Sequence, residues 1–420
     1  MLEDIQVKRW IEVILPPLEE RGLVLLTGAR QTGKTTSARR LYAELPYFNL
    51  DAVEYRDQLT SVSSFAWAET VGDAVLDEVQ KEPELLDKIK FAFDEGDLNF
   101  CAMLGSAQIL LLKRVKETLA GRVFVFELFP LLLSELGAGT SPLVPPLVGR
   151  LMESPHPLEL LKEEPRLILG PDGDVWRRAE AHLLTWGGMP GLLALEDSRR
   201  VSWMRSYEAT YLERDLGDLA RLDDLKPFRR FQKLAALRSG QMLSYSELAR
   251  DAGVAVETAR RYLEYLRLSY QAFLLQPFSE NLTSQVVKTP KLFWGDCGLL
   301  RSMTGREPTA PMDGHFYETY CAAELMKVLR TLQSTAQLFY YRTRSGLEVD
   351  FLLQTANGIL GLEVKGRQSV SASDLRPMKR VADQLGQRWL GGLILYQGQE
   401  VVEVEKGFWA VPSWRLFGSA

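Results

Sequence analysis

The sequence contains few cysteines, no long apolar run and no excess of positive charge, and each absence excludes a class of protein. The three cysteines, Cys101, Cys297 and Cys321, are odd in number and far apart in the chain. A disulfide or zinc framework uses closely spaced or paired cysteines, so these three indicate buried thiols in a reducing compartment.

The most apolar stretch, residues 123–148, is interrupted by Glu127, Pro130 and Glu135. A membrane-spanning helix needs about 20 consecutive apolar residues, so no membrane span is predicted. The first residues, Met-Leu-Glu-Asp, lack the basic and apolar regions of a secretory signal. We therefore expect a cytoplasmic protein that has no membrane partner.

The formal net charge is −5, and 25% of the residues are charged. No global basic surface marks the chain as a nucleic-acid-binding protein, so any such contact must come from local basic patches. The 420 residues are enough for two or three domains, each with a hydrophobic core of its own.

The most informative segment that is present is Gly28-Ala-Arg-Gln-Thr-Gly33-Lys34-Thr35, a complete G-x-x-x-x-G-K-S/T loop. It follows an apolar run at 23–26, typical of a buried parallel strand, and precedes a predicted helix. Backbone N–H groups and the helix dipole then converge on one anion, for which a nucleotide phosphate is the natural ligand. The predicted ATP-binding residues are Gly28, Ala29, Arg30, Gln31, Thr32, Gly33, Lys34, Thr35 and Thr36.

Within this loop, Lys34 would supply a point charge for the β and γ phosphates, and Thr35 would offer a hydroxyl to Mg²⁺. The alternative is a chance glycine-rich turn. The strand before the loop and the helix after it favour the nucleotide site.

A second acidic segment, Asp73-Ala-Val-Leu-Asp77-Glu78, is typical of the strand that completes such a site. Asp77 would hold Mg²⁺ through water, and Glu78 would polarise the attacking water, so hydrolysis is expected as well as binding. A third strand ends at Ser106, where a polar side chain can sense the γ phosphate. The alternatives are a pair of solvated turn acids and a serine that merely ends a strand.

Three compositional regimes indicate the domain organisation. Up to about residue 135, short apolar strands alternate with helical patterns, which predicts an α/β domain with a parallel sheet covered by helices. Residues 137–173 are rich in Pro and Gly and indicate a loop-rich insertion or linker. A helical region follows from about Val175, and a mixed helix and strand region begins near Pro311.

A helix-turn-helix pattern lies in the middle region. A capped helix starts after Ser244 and ends at Gly253, a second amphipathic helix spans 256–268, and an earlier helix spans 228–237. Strands at 272–275 and 286–288 would form a wing. Basic residues outnumber acidic ones here, so DNA is the expected ligand, although many winged helices only dock proteins. The predicted DNA-binding residues are Arg250, Arg260 and Arg261.

A second candidate for chemistry lies in the last region. Glu363 and Lys365 share one face of a strand, and Asp350 lies on the preceding strand of a hairpin that turns at Asn357-Gly358. This D…E-x-K cluster is typical of Mg²⁺-dependent nucleases, yet a solvated strand face gives the same pattern. For a fourth acid we favour Glu324 over Glu318.

These segments together resemble a known family. The chain is similar to the AAA-type ATPases of the AAA_14 group and to the DUF4143 region that accompanies them. The segments that carry the resemblance are Gly28–Thr36, Asp77-Glu78-Val79-Gln80, Leu104-Gly105-Ser106, Leu119-Ala-Gly-Arg122, Phe129-Pro130-Leu131, Gly187-Gly188-Met-Pro190, Tyr211-Leu-Glu-Arg-Asp215, Pro290–Gly298 and Ala322-Ala-Glu324-Leu.

The resemblance implies a RecA-like P-loop ATPase core at 1–136, a linker and helical region at 137–225, a winged helix at 226–300, and a nuclease-like α/β domain of the PD-(D/E)xK type at 301–420. It also implies ATP and Mg²⁺ as cofactors and assembly into a homo-oligomer such as a hexameric ring. Arg122 would then lie near a γ phosphate, as an arginine finger that reaches a neighbouring subunit, or else serve as a structural cap.

Three functional hypotheses remain at this point. The first and favoured one is a DNA motor or remodeller, a helicase or translocase on duplex or branched DNA. The second is an ATP-regulated endonuclease that uses the D…E-x-K cluster. The third is a signalling NTPase switch that docks proteins and does not contact DNA.

Overall fold

The computed structural model describes residues 7–106, 115, 117–219, 225–279 and 289–419, with the backbone alone over 211–219. The described strands form sheets of five, three and six strands, and helices lie around them. The fold is therefore α/β, as the sequence predicts.

The amino-terminal sheet is entirely parallel. Its strands are β1 (Gly22–Gly28), β2 (Tyr47–Asn49), β3 (Ala74–Asp77), β4 (Phe100–Ser106) and β5 (Val123–Glu127). They lie in the order β2-β3-β4-β1-β5. Every residue of β1, β3 and β4 is buried, because helices cover both faces of the sheet. This is the RecA-like core of a P-loop protein.

The helices around this sheet are α1 (Ile11–Ile14), α2 (Lys34–Leu41), α3 (Val53–Ser61), α4 (Trp67–Thr70) and α5 (Leu85–Glu95). Successive residues of β1 enter different cores. Leu23 and Leu25 pack on one face of the sheet, whereas Val24 and Leu26 pack on the other. This two-residue period explains why β1 is a continuous apolar run.

Helices of 6 to 23 residues follow the sheet. They are α6 (Leu133–Ala138), α7 (Leu147–Glu153), α8 (Pro157–Glu163), α9 (Pro171–Trp186) and α10 (Asp197–Leu219). The interpretation of 137–173 as a loop-rich linker is wrong, since Leu147, Leu151 and Leu161 from this stretch are buried in the largest core. Proline is well tolerated in the first turn of a helix, and here it begins α8 and α9.

The middle region, which the sequence predicts to be a winged helix, combines helices with a three-stranded sheet. It contains α11 (Lys226–Leu237), α12 (Tyr245–Ala252), α13 (Val256–Leu268) and the strands β6 (Gln241–Met242), β7 (Ala272–Leu275) and β8 (Lys291–Trp294). Ser244 caps α12 as predicted, and Gly253 ends it in the left-handed conformation. The partner of β7 is β8, whereas the predicted wing strand at 286–288 lies outside the described residues.

The carboxy-terminal region contains a mixed sheet and helices. The elements are α14 (Cys297–Thr304), α15 (Gly314–Thr331), β9 (Gln337–Arg342), β10 (Glu348–Gln354), β11 (Ile359–Lys365), α16 (Arg376–Leu385), β12 (Trp389–Tyr396), β13 (Val402–Glu405), β14 (Phe408–Pro412) and α17 (Ser413–Phe417). The strands lie in the order β13-β14-β12-β11-β10-β9, and α15 packs against this sheet.

Among the described residues, no helix has both the length and the apolar character that crossing a membrane requires.

A buried carboxyl group joins α9 to the carboxy-terminal helices. Glu180 accepts a hydrogen bond from the hydroxyl of Ser413, and the hydroxyls of Ser413 and Tyr317 lie 2.6 Å apart. Burial raises the pKa of Glu180 to about 7, and the nearby charge of Glu324 acts in the same direction. The carboxyl therefore keeps its proton in the folded protein at a pH where an unfolded chain has lost it.

We predict that Glu180 makes folding stability fall as the pH rises. The folded pKa of about 7 exceeds the value of 4.5 for a free side chain, so the folded state binds more protons and loses stability as the pH rises from about 4.5 to 7. The loss is roughly 3 kcal/mol. Glu180→Gln should abolish this loss, so the variant should melt at a higher temperature than the wild type at pH 8.

The measurement is the melting temperature of both proteins by calorimetry at pH 5 and pH 8. Glu163→Gln, at an exposed position on α8, is the matched control and should follow the wild type. Parallel pH dependence in the wild type and Glu180→Gln would contradict the prediction.

Candidate functional site

The loop after β1 needs glycine at two positions. Gly28 has φ 152°, and a Cβ there would lie 2.1 Å from the carbonyl oxygen of Leu128. Gly33 has φ 99° and occupies the N-cap position of α2. Between them Gln31 also adopts a positive φ, 60°. The loop therefore bends tightly, without side chains in the way, immediately before the helix amino terminus, which is the arrangement that binds phosphate.

The side chain of Lys34 is buried and contacts the backbone of this loop. Its Nζ donates to the carbonyl oxygens of Gly28 at 3.0 Å and Ala29 at 2.8 Å. Thr32 Oγ1 donates to the same Ala29 carbonyl at 2.9 Å. Phosphate oxygens are stronger partners for an ammonium group than neutral carbonyls are. The charge and the cradle therefore fit the triphosphate that the sequence predicts.

The β1–α2 loop and the end of β3 meet at one carboxylate oxygen. Thr35 Oγ1 and the hydroxyl of Tyr47 each donate to Asp77 Oδ2 at 2.6 Å. A hydroxyl beside a buried carboxylate is the donor set that holds Mg²⁺ in P-loop proteins. The structure thus brings together the two residues predicted to bind the metal.

Glu78 lies directly after β3 and is held by a side chain two residues later. Gln80 Nε2 donates to the carboxylate of Glu78 and, at 3.2 Å, to Ser106 Oγ. Ser106 is the last residue of β4 and pairs in register with Gly28. Gln80 therefore connects the predicted water-polarising group to the predicted γ-phosphate sensor.

Glu78 is in an unusual state for a glutamate. Its φ of 56° lies in the left-handed region, which is rare for a residue with a side chain and costs on the order of 1–3 kcal/mol. Burial raises the pKa of its carboxyl, and the charge of Asp77 raises it further, whereas Arg30 and Lys34 oppose the shift. A carboxylate with a raised pKa is a stronger acceptor for a proton of water.

Arg122 lies at the opposite edge of the sheet from the loop. It immediately precedes β5, and it forms an ion pair with Asp94 of α5 at 2.5 Å. Val123 pairs with Leu23, and the strand from Leu23 to Gly28 spans roughly 16 Å. Arg122 therefore lies too far from the loop to contact a phosphate that the loop of the same chain binds.

A buried arginine that the sequence did not indicate supports the loop. Arg9 donates from Nη1 to the carbonyl oxygen of Thr32 at 2.7 Å and from Nη2 to that of Phe129 at 2.6 Å. Its Nε lies 3.0 Å from Glu135 Oε2. Arg9 thus connects the phosphate-binding loop to the segment that follows β5.

The same segment is bound by the distant helices. Leu131 N donates to the carbonyl oxygen of Gly188 at 2.7 Å, and its own carbonyl accepts from Lys327 Nζ at 3.0 Å. Leu133 N donates to Glu324 Oε2 at 3.0 Å, and Glu324 forms an ion pair with Lys327. Glu324 is therefore a structural residue at this junction, and our choice of it as the fourth acid of the D…E-x-K cluster is wrong.

The D…E-x-K residues themselves lie together. β10 and β11 pair antiparallel across the turn at 355–358, as predicted. Lys365 Nζ donates to Glu363 Oε1 at 2.7 Å, and Val364 N donates to Asp350 Oδ2 at 2.8 Å. Burial raises the pKa of Asp350, and the charge of Glu363 raises it further.

A lysine from β8 enters this acidic cluster. Lys291 Nζ lies 2.8 Å from Glu318 Oε1 and 2.6 Å from Glu348 Oε1. Burial lowers the pKa of Lys291, but these two carboxylates outweigh it and raise the pKa overall. In the part of the chain that the structure describes, no group of three or more His, Cys, Asp or Glu side chains is arranged to hold a metal ion.

The arginines predicted to bind DNA all lie at exposed positions of α12 and α13. Two of them have acidic neighbours. Arg250 forms an ion pair with Asp251 at 3.0 Å, and Arg260 lies 4.0 Å from Glu257. Their net positive charge is therefore smaller than the sequence suggests.

The sequence reasoning missed Arg9, Tyr47 and Gln80. Gln80 had a usable signal, since it follows the acidic pair closely and lies before a helix. Tyr47 and Arg9 had none, because each is a single residue outside any recognisable motif.

We predict that Gln80 acts as a positioning residue for Glu78. Gln80→Met keeps the volume but removes the donor, so kcat for ATP hydrolysis should fall on the order of 10- to 100-fold, with little change in KM. A carboxylate that loses a hydrogen-bond donor has a higher pKa. The acid limb of the pH profile of kcat should therefore move to higher pH.

The measurement is steady-state phosphate release between pH 5 and 9. Gln58→Met, at an exposed position on α3, is the matched control. An unchanged acid limb in Gln80→Met would mean that Gln80 only packs the turn.

Protein-family models match three parts of the chain. An AAA domain, AAA_14, matches residues 20–137, a domain of unknown function, DUF8612, matches residues 177–310, and another, DUF4143, matches residues 313–416. Uncharacterized proteins of Mycobacterium tuberculosis and Mycobacterium bovis are each 27% identical over 409 residues, which cover 94% of this chain and 81% of the relative.

Among solved structures, the chain is similar to the Walker-type ATPase of Pyrococcus abyssi, with a TM-score of 0.43 and 16% identity over 72% of this chain and 99% of the other. AMPPCP-bound DnaA from Aquifex aeolicus has a TM-score of 0.28 and 13% identity over 61% and 86%. The family models and the loop geometry agree. The chain therefore carries an AAA domain of the AAA_14 family and a DUF4143 domain, and it is a P-loop ATPase.

Proposed function

We propose that ATP turnover in this protein drives movement or remodelling of duplex or branched DNA that the winged helix holds. The observation that carries the proposal is a contact between the winged helix and the strand end beside the phosphate-binding loop. The hydroxyl of Tyr270, two residues after α13, donates to Glu127 Oε1 at 2.8 Å. Glu127 ends β5 and pairs in register with Thr27, which directly precedes Gly28.

The carboxy-terminal region contacts the same strand end. Arg330 of α15 forms an ion pair with Glu127, and its guanidinium lies 5.4 Å from the ring centroid of Phe129. The ring of Tyr270 packs edge-on against Phe129, with centroids 5.6 Å apart. A movement of the loop during nucleotide turnover would therefore displace both the winged helix and the carboxy-terminal region, because both contact Glu127 and Phe129.

Each residue of the site would have a separate role in ATP hydrolysis. Lys34 would bind the β and γ phosphates in place of its present carbonyl partners, and Thr35 and Asp77 would hold Mg²⁺. Bound Mg²⁺ neutralises charge on the phosphates. Glu78 would orient and polarise the attacking water, with its carboxylate held by Gln80. Tyr47 would keep Asp77 in place.

The position of Arg122 supports assembly into a homo-oligomer, such as a ring. This side chain is remote from the loop of its own subunit, so its use as an arginine finger requires a second subunit. An arginine finger stabilises the charge of the transition state for phosphoryl transfer.

A second candidate function is Mg²⁺-dependent DNA cleavage. The observation in its favour is that Asp350, Glu363 and Lys365 are adjacent on two neighbouring strands. The ammonium of Lys291 among the carboxylates opposes it, because it already neutralises the charge that a divalent cation would neutralise. We therefore favour the DNA motor over DNA cleavage.

We predict that two substitutions separate binding from hydrolysis. Glu78→Gln should retain ATP binding and lose at least about 100-fold in turnover, because the amide cannot accept the proton of water. Lys34→Ala should lose binding itself, since it removes the charge that faces the phosphates. Titration with a fluorescent ATP analogue and phosphate release measure the two properties. Undiminished turnover in Glu78→Gln would exclude this residue as the water-polarising group.

We also predict that DNA stimulates ATP turnover. Turnover should rise several-fold with duplex or four-way-junction DNA and less with single strands, and the strands should stay intact in the same tubes. Lys34→Ala is the control for contaminating ATPases. Cleavage that Glu363→Ala abolishes would favour the endonuclease. ATP turnover that does not change with any of the three DNA forms would contradict the motor hypothesis and favour a protein-docking switch.

A further inference from the structure

The winged helix presents two different exposed surfaces, and their charges differ. On α13, the helix that a helix-turn-helix motif usually inserts into DNA, acidic residues alternate with the basic ones. Arg267 forms an ion pair with Glu264 at 2.7 Å, and Arg260 lies 4.0 Å from Glu257. Arg260 also stacks over the ring of Tyr245, with the guanidinium carbon 4.3 Å from the ring centroid.

The exposed face of α11 is basic along most of its length and ends at the exposed Leu237. The helix contains no acidic residue, and its four basic side chains recur every three or four positions, so they lie along one face. They are Lys226, Arg229, Arg230 and Lys233. The opposite face is buried in the core through Phe228 and Phe231. Among the residues that the structure describes, no acidic side chain forms an ion pair with Arg229 or Arg230.

This basic face is continuous with the turn of the helix-turn-helix. A Cβ placed on Gly253, between α12 and α13, would lie 3.8 Å from Arg230 Nη1. Gly253 is exposed and has no side chain, so the turn is open to a close approach by a ligand. Arg230 therefore extends the charge of α11 to the place where the motif would face DNA.

We propose that α11, through Arg229 and Arg230 with Lys226 and Lys233 beside them, is the main surface that contacts the phosphates of duplex DNA. Arg260 and Arg267 of α13 contribute less, because Glu257 and Glu264 offset their charge. Contacts to phosphates carry no base information, so this surface binds duplexes irrespective of sequence. That property suits a protein that moves along DNA. The inference rests on the proposed DNA function and names the surface that performs it.

Two matched double variants test this surface. Arg229→Gln/Arg230→Gln and Arg260→Gln/Arg267→Gln each remove two positive charges from exposed positions of one helix. The full-length protein is titrated with two labelled duplexes of equal length and unrelated sequence, from 50 to 300 mM salt. The α11 variant should weaken affinity for both duplexes at least about tenfold and flatten the salt slope by about 2, since each phosphate contact contributes about 0.9.

The α13 variant should lose no more than about threefold. Arg229→Lys/Arg230→Lys should restore the salt slope, because it restores the charge. A larger loss in the α13 variant, or wild-type affinity in the α11 variant, overturns the assignment of the surface while the DNA function stands. No binding of either duplex by the wild-type protein overturns both.

Discussion

The structure depends on one buried ion pair, between Arg9 and Glu135. Both side chains are almost completely inaccessible to water, and the carboxylate also accepts hydrogen bonds from Trp10 N at 2.8 Å and Leu132 N at 3.0 Å. Removing one partner of such a pair leaves an uncompensated buried charge and costs about 3–5 kcal/mol. Because the guanidinium of Arg9 also holds the carbonyl of Thr32, the phosphate-binding loop and the segment after β5 are fixed to each other through this pair.

The segment after β5 is in turn the point where the modules join. Its backbone is bound by Gly188 from the helical region and by Lys327 and Glu324 from α15. Gly188 N also donates to the buried carboxylate of Asp296 at 2.7 Å. Asp296 is the N-cap residue of α14, so this helix belongs to the same network. Buried networks of this kind are rigid when every member has a partner. A displacement of the loop by bound nucleotide therefore has a continuous path of hydrogen bonds to the helices beyond the ATPase core.

The parts of the site that were predictable from the sequence are those in which the chemistry and the geometry lie in one short segment. Glycines at 28 and 33, Lys34 and Thr35 are fixed relative to each other by eight residues of chain, and the apolar strand before Asp77 places that carboxylate at the same sheet edge. The supporting residues come from elsewhere. Arg9 lies 120 positions from Phe129 in the sequence, Lys327 lies 196 from Leu131, and Tyr47 lies 30 from Asp77. Their role depends on packing, which no local pattern encodes.

The D…E-x-K cluster shows the same limit of prediction from the sequence. The hairpin placed Asp350, Glu363 and Lys365 together because strand periodicity and a two-residue turn determine that geometry. The sequence did not indicate that Lys291 would arrive from β8 and pair with Glu318 and Glu348. The positive charge of this ammonium offsets part of the negative charge of the two carboxylates that it contacts. Through Lys291, Glu318 of α15 is linked to Glu348 of β10, so these charges hold α15 against the carboxy-terminal sheet.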